Sequence, residues 1–295
     1  MAKKEHGSVL VTGAGGFLGR ALSRRLAESD SKLVLASRSQ LSDISSATCM
    51  VGDLNDPAYC EKILEGIDVV YYAAGFKKNI AVHTGRPFDA LTGNVGPLLT
   101  FLAAAKRSRI RTLVYMSSSI VEYASDSDAT FDGYVWGKYI NEIVVRSFAK
   151  EVDVDVKIIR SAPLYGPGDN MDPATANFIP SFIRRVFESD TSVVVWGSGE
   201  RVLQFIYIDD LVANVRAACE SADSFFVFGN PERATVNTVA AQIIALSGRV
   251  LAVEHDLSKP DKSTKLSTFK NLVPPQFDMA KGLKATVAYY KEYHA

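Results

Sequence analysis

Short apolar runs alternate with longer stretches of helical spacing through the first half of the chain. The runs are SVLVT (8–12), LVLA (33–36), TCMVG (48–52), DVVYYAA (68–74), RTLVYMSSS (111–119) and VDVKIIR (154–160). They are rich in β-branched and aromatic residues and too short for helices, so they predict strands. Between them, FLGRALSRRLAES, DPAYCEKILEG, a long stretch over 85–107 and GYVWGKYINEIVVRSFAKE carry apolar residues at helical spacing. Pro97 lies inside the long stretch and predicts a kink or a late helix start there. Strands alternating with helices predict an α/β fold with a doubly wound parallel sheet.

The rhythm changes after residue 161. LYGPGDNMDPATANF is loop-rich, SFIRRVFES is helical, and short strands with three further helical stretches follow. The expected organisation is a nucleotide-binding domain over 1–160 and a smaller, mainly substrate-binding lobe over 161–295. Some of the later segments return to the first domain. In open α/β sheets ligands bind in the crevice outside the carboxyl ends of the strands, so the lobe is expected on that edge.

Composition narrows the partners. The chain has 295 residues, 47% of them hydrophobic, and its 33 Lys+Arg balance 33 Asp+Glu. A zero net charge argues against a broad nucleic-acid or membrane surface, and no apolar run reaches the ~20 residues of a membrane span. Cys49, Cys60 and Cys219 form no CxxC pair and no Cys/His metal spacing, so no metal site is expected. No signal-peptide core follows the first residues. The expectation is a cytoplasmic protein.

Gly13, Gly16 and Gly19 form a GxxGxxG pattern between the first strand and the first helix. Glycines there permit a tight turn, close backbone approach to a pyrophosphate and close helix–strand contact. The amides of the first helical residues, Phe17 and Leu18, favour the anion. The pattern predicts a Rossmann-type dinucleotide site. A carboxylate at the end of the second strand would bind the adenosine 2′-hydroxyl; this chain has Ala36, Ser37 and Arg38. A guanidinium suits a 2′-phosphate, so the expected cofactor is NADP(H), against the plainer reading of a solvated arginine. Asp53, with Leu54 beside it, is a candidate for the adenine amino group or simply a loop-starting aspartate.

Tyr134 and Lys138 stand at i, i+4 in YVWGK, on one face of a helix. A nearby ammonium stabilises a phenolate, and the serines of MSSS end the preceding strand. Together these suggest a tyrosine that shuttles a proton and a serine that orients a carbonyl.

VTGAGGFLG, the serine strand end, YVWGK and RSAPLYGPGDN resemble the extended short-chain dehydrogenases/reductases, the nucleotide-sugar epimerases, dehydratases and reductases. Within them, LYGPGDN…FIPSFIRR, VVVWGSG, IYIDDL and SKPD are most similar to the GDP-fucose synthase branch, which epimerises and reduces a GDP-linked 4-keto-6-deoxy sugar with NADPH. The resemblance implies a catalytic set of Ser118 (Ser119 with a one-residue shift), Tyr134 and Lys138. It also implies that Ala73, Ala74, Gly75, Pro163 and Leu164 line the nicotinamide, that Lys138 reaches its ribose, and that Asn177, Arg185, Trp196 and Arg201 face substrate. It implies a homodimer through helices near 85–107 and 134–151.

Departures from that branch matter. Its pyrophosphate arginine is Leu203 here, with Arg201 as a possible substitute. Its Cys/His proton-transfer pair falls on Ile120 and Asn177, neither an acid nor a base. The expected activity is therefore reduction of a nucleotide-linked 4-keto sugar at C4 without epimerisation. A 4-epimerase that retains its cofactor, or a non-catalytic NADP sensor, are the alternatives. His83 lies in a possible substrate loop, where a lone histidine is more often structural; His6, His255 and His294 fit no pattern.

Overall fold

Four-residue stretches with every side chain buried mark the centre of the molecule: VLVT in β1 (Val9–Thr12) and VVYY in β4 (Val69–Tyr72). Both faces of such strands are covered, as in a parallel sheet between helix layers. The computed structural model describes residues 7–29, 32–78, 80–124, 132–172, 175–259 and 265–293. In chain order the first elements are β1, α1 (Phe17–Leu26), β2 (Leu33–Ser37), β3 (Thr48–Val51), α2 (Pro57–Ile63) and β4. Next come α3 (Ile80–Gly85), α4 (Pro87–Ala105), β5 (Thr112–Met116), α5 (Gly133–Glu151) and β6 (Asp155–Ser161). Then follow β7 (Leu164–Tyr165), α6 (Phe178–Glu188), β8 (Ser192–Trp196), β9 (Val202–Leu203), β10 (Ile206–Tyr207), α7 (Ile208–Glu220) and β11 (Phe225–Phe228). The chain continues through β12 (Ala234–Thr235), α8 (Val236–Ser247), β13 (Ala252–Asp256) and α9 (Met279–Tyr293).

The main sheet has seven strands in the order β11-β6-β5-β4-β1-β2-β3. From β1 the chain builds outward through β2 and β3, then crosses back to β4 and builds the other way; these neighbours pair parallel. The reversal lies between β1 and β4, so their carboxyl ends border the crevice such sheets use for ligands. This is the doubly wound sheet that the strand–helix alternation predicts. Beneath it Leu10, Val34, Tyr72, Leu113 and Tyr115 share one core with Leu98 and Phe101 of α4.

The long helical stretch expected at 85–107 is α4, Pro87–Ala105, with the short α3 ending just before it at Gly85. Proline in a first turn forfeits no helical bond. Pro97 does lack one, yet α4 runs through it, anchored by the buried Asn94, Leu98 and Phe101.

The chain divides into two compact units. One takes the chain to Arg160 and adds Val212–Phe226; the other is Ser161–Leu211 with Val227 onward. Three two-stranded sheets, β7–β10, β9–β12 and β8–β13, belong to the second unit. There α6 buries Ile179, Phe182, Ile183 and Val186 along one stripe.

Candidate active site

The turn after β1 is built for close approach. Gly13 has φ +65°, and a Cβ on it would lie 2.7 Å from Ala74 Cα. Gly16 N–H donates to Gly13 O at 2.9 Å, and a Cβ on Gly19 would lie 2.1 Å from that same oxygen. Helix α1 starts after Gly16 with no side-chain cap and no acidic residue in its first turn. The amides of Phe17 and Leu18 thus belong to an uncapped, electropositive helix start. Ala74, following β4, donates its N–H to Thr12 Oγ1 at 3.4 Å. A cradle that side chains would fill, opening on an uncapped helix, fits a dinucleotide pyrophosphate.

At the end of β2, Ser37 is buried and its Oγ accepts from Ser39 N–H at 3.3 Å. Arg38 is exposed, with no hydrogen bond or ion pair among the described residues. The nearest carboxylate in sequence, Asp43, pairs with Arg24 at 3.2 Å. Asp53 is exposed, and its Oδ1 accepts from Asn55 N and Asn55 Nδ2, each at 2.9 Å. It therefore shapes its own turn, beside the half-buried Leu54.

Ser118, Tyr134 and Lys138 meet at the end of β5. Asp132 caps α5, its Oδ1 accepting from Tyr134 N at 2.9 Å and Val135 N at 3.3 Å. This fixes the first turn of the helix and with it the Tyr134 backbone. The Ser118 side chain lies beside the Tyr134 hydroxyl, whereas Ser119 begins a short 3₁₀ turn, Ser119–Tyr123. Burial pushes the phenol up to about 12; Ser118 opposes this and the Asp132 carboxylate adds to it. Lys138, one turn on and buried, donates to Met116 O at 2.8 Å and lies 5.3 Å from the Tyr115 ring centre. Burial pulls its ammonium down to about 8, with Glu142 pulling the other way. A Cβ on Gly75 would come within 3.4 Å of Lys138 Nζ, so the Ala73–Gly75 segment passes beside the lysine.

The second unit holds the other candidates. Pro163 O accepts from Ile206 N at 3.0 Å, and Leu164 belongs to β7. Asn177 is the N-cap position of α6 without a side-chain cap bond. Arg185 donates from Nη1 to Val194 O at 2.6 Å and stacks on Phe182, 5.0 Å from its ring centre; burial lowers its pKa. That bond ties Arg185 to the strand carrying Trp196, which is 64% exposed. Arg201 precedes β9 and Leu203 ends it: Arg201 O accepts from Val236 N at 3.1 Å, and Leu203 is buried. Among the described residues no cluster of three His, Cys, Asp or Glu could hold a metal ion. His6 and His294 lie outside the described residues, as do the last two residues of SKPD.

The profile of the NAD dependent epimerase/dehydratase family matches residues 9–228. The chain belongs to that family, the extended short-chain dehydrogenases/reductases, which depends on nicotinamide dinucleotides. It is 26% identical to the GDP-L-fucose synthase of Escherichia coli, covering 86% of this chain and 85% of that one. It is 25% identical to a dTDP-4-dehydro-6-deoxy-D-allose reductase of Streptomyces sp, covering 96% of each. Among solved structures, a Thermotoga maritima UDP-glucose 4-epimerase with UDP-glucose superposes with a TM-score of 0.84 at 21% identity, covering 97% of this chain and 99% of that one. At that identity the likeness shows the fold.

Two further residues near the site, Asn94 and His83, are weakly signalled in the sequence. Asn94, buried in α4, accepts from Phe76 N at 3.0 Å and donates to Phe76 O at 3.1 Å. It clamps the loop that follows β4 as a neighbouring strand would. An asparagine among the apolar positions of a helix is the only trace of this in the sequence. His83 stacks on Tyr134 with ring centres 4.8 Å apart and planes 12° from parallel. Its Nε2 accepts from Lys78 N–H at 3.0 Å, which leaves the proton on Nδ1, 3.9 Å from Asp132 Oδ1. Burial lowers its pKa, against the pull of Asp132. The imidazole is thus a neutral partner whose free lone pair is already engaged.

Proposed function

We propose that this protein is an NADPH-dependent reductase of a nucleotide-linked 4-keto-6-deoxy sugar, GDP-linked, acting at C4 without epimerising C3 or C5. The observation that carries the reading is Ser118 set beside the Tyr134 hydroxyl with Lys138 one helical turn away. Ser118 and Tyr134 both reach a substrate carbonyl oxygen, and Tyr134 hands it a proton. A nicotinamide, when bound, would supply the hydride. Lys138 lowers the cost of phenolate formation; from about 12 to neutral that cost is ~7 kcal/mol at 1.36 kcal/mol per unit.

The absence of epimerisation rests on Ile120 and Asn177. Removing a proton beside the C4 ketone needs a base of matched pKa, and neither side chain is one. His83 fails too, since Nε2 accepts a backbone N–H. The NADP preference rests on the unpaired Arg38, supported by Ser37 and by the absence of a carboxylate at that strand end. In this reading Gly13, Gly16, Gly19, Phe17 and Leu18 hold the pyrophosphate, and Asn177, Arg185, Trp196 and Arg201 hold the nucleotide sugar. A homodimer forms through α4 and α5, where Phe88, Leu99, Tyr139 and Ile143 are exposed. The protein is placed in the cytoplasm on its composition.

The test is to screen GDP-, dTDP-, CDP- and UDP-linked 4-keto-6-deoxy sugars for NADPH oxidation. One NADPH consumed per product marks a reductase; turnover without consumption marks an epimerase. In heavy water, C3 and C5 of the product stay free of deuterium beyond a control without enzyme. Tight NADP binding with no turnover on any of the four sinks the reductase.

A further inference from the structure

A second set of buried charged and polar groups lies directly behind the tyrosine site. Glu142 is only 2% exposed. Its Oε1 accepts from Ser117 Oγ at 2.6 Å and from Arg160 Nε at 2.8 Å, and its Oε2 accepts from Arg160 Nη2 at 2.8 Å. A buried carboxylate is tolerable when paired and fully hydrogen-bonded, and this one is held by a two-pronged guanidinium and a hydroxyl. Three structural elements converge on it: α5 supplies Glu142, β6 supplies Arg160, and the end of β5 supplies Ser117.

Each contact bears on a residue of the proposed chemistry. Ser117 immediately precedes Ser118, and Ser118 is extended, with φ −150° and ψ 145°. Successive side chains of extended backbone point to opposite sides. With Ser117 drawn toward Glu142, Ser118 faces the other way, where it meets the Tyr134 hydroxyl. Ser117 N–H also donates to Ile159 O at 2.7 Å, so backbone and side chain of the same residue are both fixed. Met116 O, one residue earlier, accepts from Lys138 Nζ. Glu142 in turn lies four residues after Lys138 on the same helix face.

We propose that Glu142 is a positioning residue: its carboxylate, gripped by Arg160 and Ser117, sets which serine faces Tyr134 and stands as the counter-charge of Lys138. The inference rests on the roles given above to Ser118, Tyr134 and Lys138. Several groups face Lys138. Tyr134 and Glu142 come from α5, the Tyr115 ring and Met116 O from β5, and the Gly75 backbone from the loop after β4. Of these Glu142 is the carboxylate that opposes the effect of burial on the lysine. An opposite charge favours the charged form, so Glu142 raises the lysine and its loss lets the lysine fall.

The experiment pairs two variants with two readouts. Lys138 is titrated by NMR on 13Cε-lysine protein, which needs no substrate, and the pH profile of kcat is measured alongside. Glu142→Gln keeps the shape and removes the charge; Glu142→Gln/Arg160→Gln also avoids stranding a buried guanidinium. In Glu142→Gln the Lys138 titration is expected to move down by roughly 1–2 pH units, and the alkaline limb of kcat moves with it; in the double variant, which removes a cation along with the carboxylate, the shift is smaller. Ser117→Ala is expected to lower kcat roughly tenfold with KM and the Lys138 titration unchanged, the pattern of a lost transition-state interaction. Lys138 titrating at the wild-type pH in folded Glu142→Gln overturns the counter-charge; wild-type kcat in Ser117→Ala overturns the serine lock. If Tyr134→Phe proves fully active, the site reading fails while the NMR titration still reports on Glu142.

Discussion

Tyr134 opens a helix and Trp196 closes a strand, yet the two aromatics are held in opposite ways. Tyr134 is buried, flanked by Ser118, stacked on His83 and fixed at its backbone by the Asp132 cap. Trp196 stands 64% exposed, with Lys259 Nζ 6.0 Å from its ring centre. The contrast extends to their neighbours. Lys138 and Glu142 spend their charges on internal partners, whereas β8 and β13 carry exposed Val194 and Val253. Groups that must be preorganised for bond-making are locked by packing before any ligand arrives. Trp196 is left uncovered, as the proposed role of gripping a ligand requires.

The largest expected effect tests the locked half of this comparison. Tyr134→Phe removes the hydroxyl and keeps the ring that His83 stacks on, so the fold stays intact. Turnover should fall roughly 10²–10⁴-fold, the scale of a lost proton-transfer group. NADPH affinity by fluorescence titration should stay within about twofold, because only a transition-state interaction is lost. A variant that keeps most of its activity ends the assignment of Tyr134 as proton donor.

Arg38 belongs to the locked unit but is uncovered like Trp196, and so separates the two explanations. Arg38→Ala should weaken NADPH by ~1.5–3 kcal/mol, the range for hydrogen bonds to charged groups, and leave NADH nearly unchanged. Equal losses for both cofactors in parallel titrations remove the case for a 2′-phosphate site.

The glycine cradle gives a stability test of similar size. A Cβ at Gly19 would sit 2.1 Å from Gly13 O, so Gly19→Ala must push the helix start away from the loop. Strain of this kind costs ~1–3 kcal/mol, read as a lower urea midpoint with unchanged slope, and NADPH affinity should fall with it. An unshifted midpoint would mean that the loop is not closed onto the helix.

How much of this was legible follows the same division. The sheet is written in the apolar runs because strands buried on both faces admit little else. The glycine turn and the i, i+4 pair are legible because chemistry and backbone geometry allow few residue types there. Other parts leave no such trace. FFVF at 225–228 is a short apolar run like several others, and nothing local announces that it pairs as the seventh strand. Asn94, His83 and Glu142 act through partners 18, 51 and 18–25 positions away, and a sequence pattern carries no such separations. The second unit is harder still, since exposed side chains such as Trp196 are not set by packing.

Trp196 carries the smallest expected effect and the sharpest test of that last point. Its ring is exposed and its neighbours on the strand are backbone-paired with β13, so removing it uncovers nothing. Trp196→Ala should leave the unfolding midpoint within about 0.5 kcal/mol of wild type, as for other surface substitutions. If the indole stacks on the substrate's nucleoside, truncation costs ~1–1.5 kcal/mol, which appears as a roughly five- to tenfold higher KM with kcat unchanged. Trp196→Phe keeps a stacking face and should recover most of that loss. A fall in kcat at unchanged KM would place the tryptophan with the locked residues and break the comparison; a lowered midpoint would show that it packs more than its exposure implies.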